Sequence, residues 1–430
     1  MVSSLTDTGS PVAASIETRA SWVVALTALL VYTVSFGAPV ITVVALTRIA
    51  AELGDARSVP GLAFSLAWFG AAVGGIPMGW MAERFGIRRV VMFGAVMVAS
   101  GLTISTLATA ASGGAAALFI GHGVFIGLLG NACINAPLYV YVARWFDRRR
   151  GSAVALISSG QYLAGTVWPI FFTRGIDALG WRGMMLGYAV FVVAVILPAA
   201  LAIFRPPPDA GVLAAATGPA RGGAVLGLRP NLVMSLLCFA GLMCCTPMAM
   251  PQGHLVAFCT DLGIAPAHGA AMLSLLLGCA FVSRQFWGWV SDRIGGLRTV
   301  LAGSVCQITA MTGFLLTQNE AGLFAVAATF GLGFSGIIPA YVVAIRELFP
   351  TAEAAWRVPT VLLFTGSGMA LGGWLAGAIY DWAGFYAIAF ATGIAFNAAH
   401  IVVIGSLVLR QGRAGLRPAA APIASGAQTR

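Results

Sequence analysis

Residues Gly79–Arg89 read GWMAERFGIRR, and residues Gly288–Arg298 read GWVSDRIGGLR. The copies agree at Gly79/Gly288, Trp80/Trp289, Arg84/Arg293, Gly86/Gly295 and Arg89/Arg298, and each carries an acid, Glu83 in one and Asp292 in the other. Each copy follows one long hydrophobic segment and precedes another. That context places both in tight loops between membrane helices, at equivalent positions of two halves. Internal duplication of a membrane protein is the organisation of transporters.

Working outward from these loops, the chain is overwhelmingly apolar. Of its 430 residues, 59% are hydrophobic and 9% charged, against roughly a half and a quarter in an ordinary soluble domain. So few charges cannot cover a soluble fold of this length. All 24 basic residues are arginine, which excludes a Schiff-base or phosphate-loop lysine. The net charge of +10 is spread over many short loops without a clustered basic face, so nucleic acid is not expected as a partner. The seven cysteines lie almost entirely in apolar stretches without metal-ligand spacing. They read as buried free thiols, and no metal or cofactor is expected. No nucleophile elbow, paired carboxylates or zinc constellation supports an enzyme.

A membrane span needs about 20 apolar residues. Twelve segments meet that requirement, near 22–46, 60–82, 89–111, 115–142, 151–173, 183–204, 231–258, 268–290, 299–317, 321–346, 357–379 and 385–409. The chain therefore reads as an all-α membrane protein. Its parts are a tail (1–21), a six-helix bundle (22–204), a linker (205–230) rich in Pro, Gly and Ala, a second six-helix bundle (231–409) and a tail (410–430). The first apolar run has no cleavage signature and stays as a helix. In the seventh segment, Pro247 and Pro251 remove backbone donors and are expected to bend or break the helix. Nineteen arginines fall on the side of the repeated loops and the tails, against four (Arg48, Arg57, Arg174, Arg182) on the other. Both termini are accordingly expected in the cytoplasm. The Ala- and Arg-rich, lysine-free composition is that of a GC-rich bacterial genome, which implies an inner (plasma) membrane.

Arg284 stands apart because it lies in the middle of the eighth segment, where a guanidinium costs about 2.5–3.5 kcal/mol on insertion scales. Its planar fork matches a carboxylate bidentately and stays charged at any relevant pH. A standing salt bridge would be the structural alternative, yet the helix interiors offer almost no acid. Other candidates for a cavity are Tyr32 and Ser35, Asn131, Asn135 and Tyr139, Gln161 and Tyr162, Tyr341, Phe364 and Ser367. Asn131, Asn135 and Tyr139 share a face at i, i+4 and i+8. Taken singly each is ordinary packing; as a set they describe a partly apolar pocket with one fixed positive charge. Such a pocket suits a monocarboxylate with a hydrophobic or aromatic body better than a dicarboxylate, which wants a second cation. His254, just after the prolines, is the candidate for proton coupling, ahead of His122, while His268 and His400 read as peripheral. GLGFSG at Gly331–Gly336 matches a dinucleotide fingerprint but has no preceding strand, so it reads as a packing surface. Gly70/Gly74, Gly75/Gly79, Gly368/Gly372 and Gly373/Gly377 have the spacing that lets membrane helices approach closely.

Gly79, Met81, Glu83, Arg84, Gly86 and Arg88 resemble the loop signature between helices 2 and 3 of the major facilitator superfamily, and Gly288, Asp292, Arg293 and Gly295 its weaker second copy. Glu83 stands where aspartate is usual, and Ile87 where a basic residue is usual. In that role Glu83 beside Arg84 and Arg88 would make charge-assisted bonds that hold an inner gate closed in one state of the cycle. ARWFDRRRGSAVALISSGQ (Ala143–Gln161), GWRGMMLGYAVF from Gly180, and His254–Gly295 are similar to the monocarboxylate carrier and oxalate/formate antiporter branch. The resemblance implies two pseudo-symmetric halves, a small organic anion as substrate, and an anion pocket that Tyr139 and Phe364 fit best. In the animal lactate carriers of this branch an aspartate and a lysine serve proton coupling. Ala280 and Val40 occupy the matching positions here, so that relay is absent and coupling would run through His254, the substrate's own proton or a counter-anion. The expectation is a monomeric secondary transporter working by alternating access, with Arg284 as carboxylate anchor. Export or exchange of another solute, drug-like or dicarboxylate, is the alternative within transport, and a non-transporting receptor on the same fold the alternative outside it.

Overall fold

The computed structural model describes residues 17–110, 114–146, 149–207 and 225–413. These form twelve membrane-length helical spans and, among the described residues, no strand. Most of the expected linker 205–230 and of both tails lies outside the described residues. We number the spans α1 to α12. α1 is interrupted (Arg19–Ser35, Gly37–Val44, Leu46–Glu52), α2 is Ser58–Phe85 and α3 Ile87–Ser105. α4 runs from Ala116 to Ala143 and is wound as a π-helix over Ile120–Asn131. α5 comprises Arg150–Ser158 and residues 160–179, and α6 residues 181–203. α7 is Pro230–Asp261, α8 Pro266–Ile294 and α9 Gly296–Leu316. α10 is Glu320–Phe334 plus Ile337–Leu348, α11 Thr351–Ala383 and α12 Ala387–Arg413.

The interruptions have local causes. The second pieces of α1 and α10 both carry proline at their third residue, Pro39 and Pro339. Proline is tolerated in a first turn but cannot bond back to a preceding one, so a new helix starts there. α5 and α6 are longer than the apolar runs suggested and meet at Gly180 alone, whose φ of 70° lies in the region that favours glycine. The charges around it looked like a loop. They instead dock on the end of α1: Asp177 pairs with Arg48, and Arg182 with Glu52, which also accepts from Trp181 Nε1 at 3.0 Å. α7 corrects a different expectation, because it runs through Pro247 and Pro251 without a break.

The buried apolar residues form two clusters, one within α1–α6 and one centred on α7–α12. Val43, Leu46, Phe64 and Tyr162 belong by sequence to the first half but pack into the second cluster. They mark where the halves meet, along α2–α11 and α5–α8. A Cβ at Gly377 would lie 2.8 Å from the Arg57 carbonyl, one at Gly61 2.8 Å from the Gly373 carbonyl, and one at Gly366 3.0 Å from Ala72 Cβ. Nothing lies within 4 Å of a Cβ at Gly79 or Gly288. The α2–α11 seam is therefore traced from Arg57 to Ala72, toward the end away from the repeated loops.

Large apolar side chains cover the exposed surface, with Trp80, Trp289 and Trp356 toward one end and Trp382 and Phe385 at the other. Exposed aromatics at both ends of an apolar belt suit the two interfaces of a bilayer. The chain is a multi-pass membrane protein.

Candidate transport site

Arg284 projects from α8 toward α5. Helix α5 is broken after Ser158: the Tyr162 amide bonds the Ser159 carbonyl, leaving the Ser158 carbonyl free of it. Arg284 donates one terminal N–H to that carbonyl at 2.7 Å, and its guanidinium lies over the Tyr162 ring, 5.0 Å from the centroid. The residue is 8% exposed, and its buried Nε has no hydrogen-bond partner. Among the described residues no carboxylate pairs with it. Among the described residues, the other buried interior arginine differs. Arg357 (3% exposed) has Glu353 at 2.7 Å and Asn231 at 3.3 Å. Arg284 is thus a desolvated cation with unfilled donor capacity.

Tyrosine side chains lie near it. Tyr32, Tyr139 and Tyr162 lie within range of its charge. Tyr32 is fully buried and stacks on Phe36 (4.4 Å) and Tyr139 (5.9 Å). Asn131 is buried and accepts from Ser35 at 2.6 Å, while Asn135 is half-buried one turn on. Outward along Tyr162 is a pocket of about 40 Å³ lined by Phe36, Phe64, Trp68, Gln161, Gln252 and Leu277 among others. It holds a few water molecules at most.

One expected site residue sits elsewhere. Tyr341 is fully buried within the second half and bonds His400 at 2.9 Å; His400 is itself buried, not peripheral. Phe364 is 39% exposed and Ser367 bonds its own helix at Leu363. His122 is held between Thr42 and Ser105 in the first half.

His254 belongs to a cluster at the end away from the repeated loops. Arg57, at the start of α2, meets Asp261 at the end of α7 through both terminal nitrogens, one bond being 2.6 Å. It donates to Tyr386 Oη at 3.2 Å and lies 3.8 Å from the centroid of the Tyr380 ring. Asp381 accepts from the backbone amides of Arg57 (2.7 Å) and Ser58 (2.9 Å), where a helix start offers free N–H groups and partial positive charge. Beneath them His254 contacts Tyr386 Oη through Nδ1 (2.9 Å) and the Gly373 carbonyl through Nε2 (2.8 Å). The sequence showed Arg57 only as a loop charge. Its partners lie 204 or more positions away, beyond any local pattern.

In this conformation, among the described residues, the repeated loops at the opposite end are not bonded to each other. Glu83 meets Arg144, in its own half, at 3.7 Å rather than Arg84 or Arg88. Arg88 bonds the Phe204 carbonyl at 2.9 Å. Arg84 lies over Trp80 (5.2 Å) and Arg293 over Trp289 (3.5 Å), the same i, i+4 stack in both copies, and Asp292 is exposed. Gly79 and Gly288 are open and Gly86, with a φ of 81°, turns the chain between α2 and α3. Among the described residues no ion pair joins the halves here.

The Major Facilitator Superfamily pattern matches residues 24–354. The chain is 28% identical over 339 residues to monocarboxylate transporter 13 of Bos taurus, covering 76% of this chain and 74% of that protein. It resembles a POT family transporter solved in complex with 5-aminolevulinic acid (TM-score 0.69, 14% identity, 92% and 96% of the two chains). It also resembles a bacterial homologue of the human lysosomal transporter Spinster, solved in an inward-facing, unoccupied conformation (TM-score 0.66, 16% identity, 92% and 96%). At such identities these structures bear on the fold alone. Twelve spans, two cores and a duplicated loop agree with the sequence match, and the chain belongs to the major facilitator superfamily, a family of membrane transporters and not of enzymes.

Proposed function

We propose that this transporter carries a small organic monocarboxylate by alternating access, with Arg284 as the carboxylate anchor and a proton or counter-anion as the coupled species. The observation that carries the reading is the state of Arg284: buried, stacked on Tyr162, bonded by one terminal N–H to a backbone carbonyl, and without an acid. A substrate carboxylate would complete it, with charge-assisted bonds contributing about 1.5–3 kcal/mol. The neutral, largely aromatic surroundings and the lack of a second cation beside it favour one carboxylate over two, and the name of the bovine relative supports the same class. In this reading both termini are in the cytoplasm of an inner membrane and the Arg57 end faces outward. The transporter acts as a monomer.

Uptake of labelled monocarboxylates into proteoliposomes, with and without an inward proton gradient, tests this. Saturable uptake that Arg284→Ala abolishes is expected, and stimulation by the gradient separates proton symport from anion exchange. Uptake indifferent to Arg284→Ala, or no uptake of any carboxylate, would remove the proposal.

A further inference from the structure

The cluster around Arg57 spans the two halves at one end of the molecule. Arg57 and Ser58 come from the first half, while Asp261, Tyr380, Asp381 and Tyr386, the groups they touch here, come from the ends of α7, α11 and α12. The side chain of Arg57 is 12% exposed and that of Asp261 27%, so solvent screens this pair less than a surface ion pair.

The hydrogen-bond directions beneath it suit a neutral His254. The Gly373 carbonyl can only accept, so Nε2 carries the proton facing it. Arg57 can only donate, so it occupies a lone pair of Tyr386 Oη and leaves the phenolic proton to point at Nδ1. The chain Arg57 to Tyr386 to His254 to Gly373 is satisfied throughout by a neutral imidazole with a bare Nδ1. An imidazolium would place a second N–H against the phenol, force the phenolic proton elsewhere and bury a charge on a residue 1% exposed. The charged groups facing His254 are Arg57 from α2, Asp381 from α11 and Asp261 at the end of its own helix, and both acids are already bonded to Arg57 or its backbone. Separating the halves at this end would let water reach the ring, where charging costs little.

We propose that Arg57 is the latch that closes this end of the transporter, and that His254, acting through Tyr386, is a positioning residue that lets the latch close only while its imidazole is neutral. Because the open form accepts the proton more readily than the closed one, acid favours opening and neutral pH favours closure. The inference rests on transport by alternation of the two halves and is independent of which solute is carried.

Spin labels at Ala51→Cys and Trp382→Cys, in an otherwise cysteine-free chain in lipid nanodiscs, read the separation of the halves at this end. With the native latch, a short distance at pH 8 and a shift to a longer one by pH 5 are expected. His254→Gln can still donate to Gly373 and accept from Tyr386 but cannot charge, so its distance stays short at both pH values. Arg57→Gln is long at both. Tyr386→Phe keeps the ring but cuts the chain, which lengthens the distance at pH 8 and guards against a folding defect in any one variant. An equal pH response in His254→Gln, no response with the native latch, or a closed Arg57→Gln would overturn the proposal.

Discussion

Arg357 and Arg284 show what burial demands of a guanidinium. Arg357 is matched inside its own half by Glu353, and Phe349 and Trp356 flank it. Arg284 has one carbonyl, one aromatic face and an unpartnered Nε. Lysine at position 284 would keep the charge but offer a single ammonium that cannot serve the Ser158 carbonyl, the Tyr162 face and a carboxylate together. Arg284→Lys is expected to lower kcat/KM for carboxylate uptake by about 10- to 100-fold. Tyr162→Leu should lower it about 3- to 5-fold, the scale of a modest cation–π contact, and Tyr162→Phe should stay near the native value; initial-rate uptake series check all three. At this scale a residue was legible in the sequence when its own neighbourhood made it anomalous. Arg284 is a charge in the middle of an apolar run and could be singled out directly. Arg57 and His400 could not, because what gives each its role is a partner far along the chain, Asp261 and Asp381 for one and Tyr341 for the other.

Helices are more legible than sites because each carries its membrane signal within itself. Apolar length alone located all twelve spans, and errors arose where a second influence acted. The end of α5 and start of α6 carry Arg174, Asp177 and Arg182, whose charges mimic a loop, yet ion pairs to α1 let the helices continue to within one residue of each other. α7 stays continuous past two prolines because its middle is buried on every side, where neighbouring helices hold it in place. The glycine rows were read as close-packing surfaces, and α11 shows how close: a Cβ at Gly372 would collide with the Thr246 carbonyl of α7. That contact is backbone and cannot turn aside. Gly372→Val is therefore expected to destabilise the second half by about 1–3 kcal/mol, measured as a lower unfolding midpoint in detergent. Gly405→Val, with open space around it, serves as the control on α12.

For the whole molecule, orientation follows from the arginine bias and can be read by labelling. In intact cells, a membrane-impermeant maleimide should label Gln318→Cys, at the Arg57 end, and reach Arg89→Cys, beside the repeated loop, only after permeabilisation; the reverse pattern would invert the topology. Both positions are exposed, and five of the seven native thiols are buried, which keeps the background low. The seam between α2 and α11 has an electrical consequence. From Arg57 to Ala72 it runs about 22 Å along the helix, against a hydrocarbon thickness of about 30 Å. Much of a transmembrane voltage must fall across such a dry partition, and one elementary charge crossing 100 mV is worth about 2.3 kcal/mol. With Arg284 empty, each alternation carries its uncompensated positive charge through that field; with a monocarboxylate on it, the moving unit is neutral. Voltage would then act on the return of the empty carrier and spare the loaded step, making net uptake electrically sensitive and one-for-one exchange insensitive.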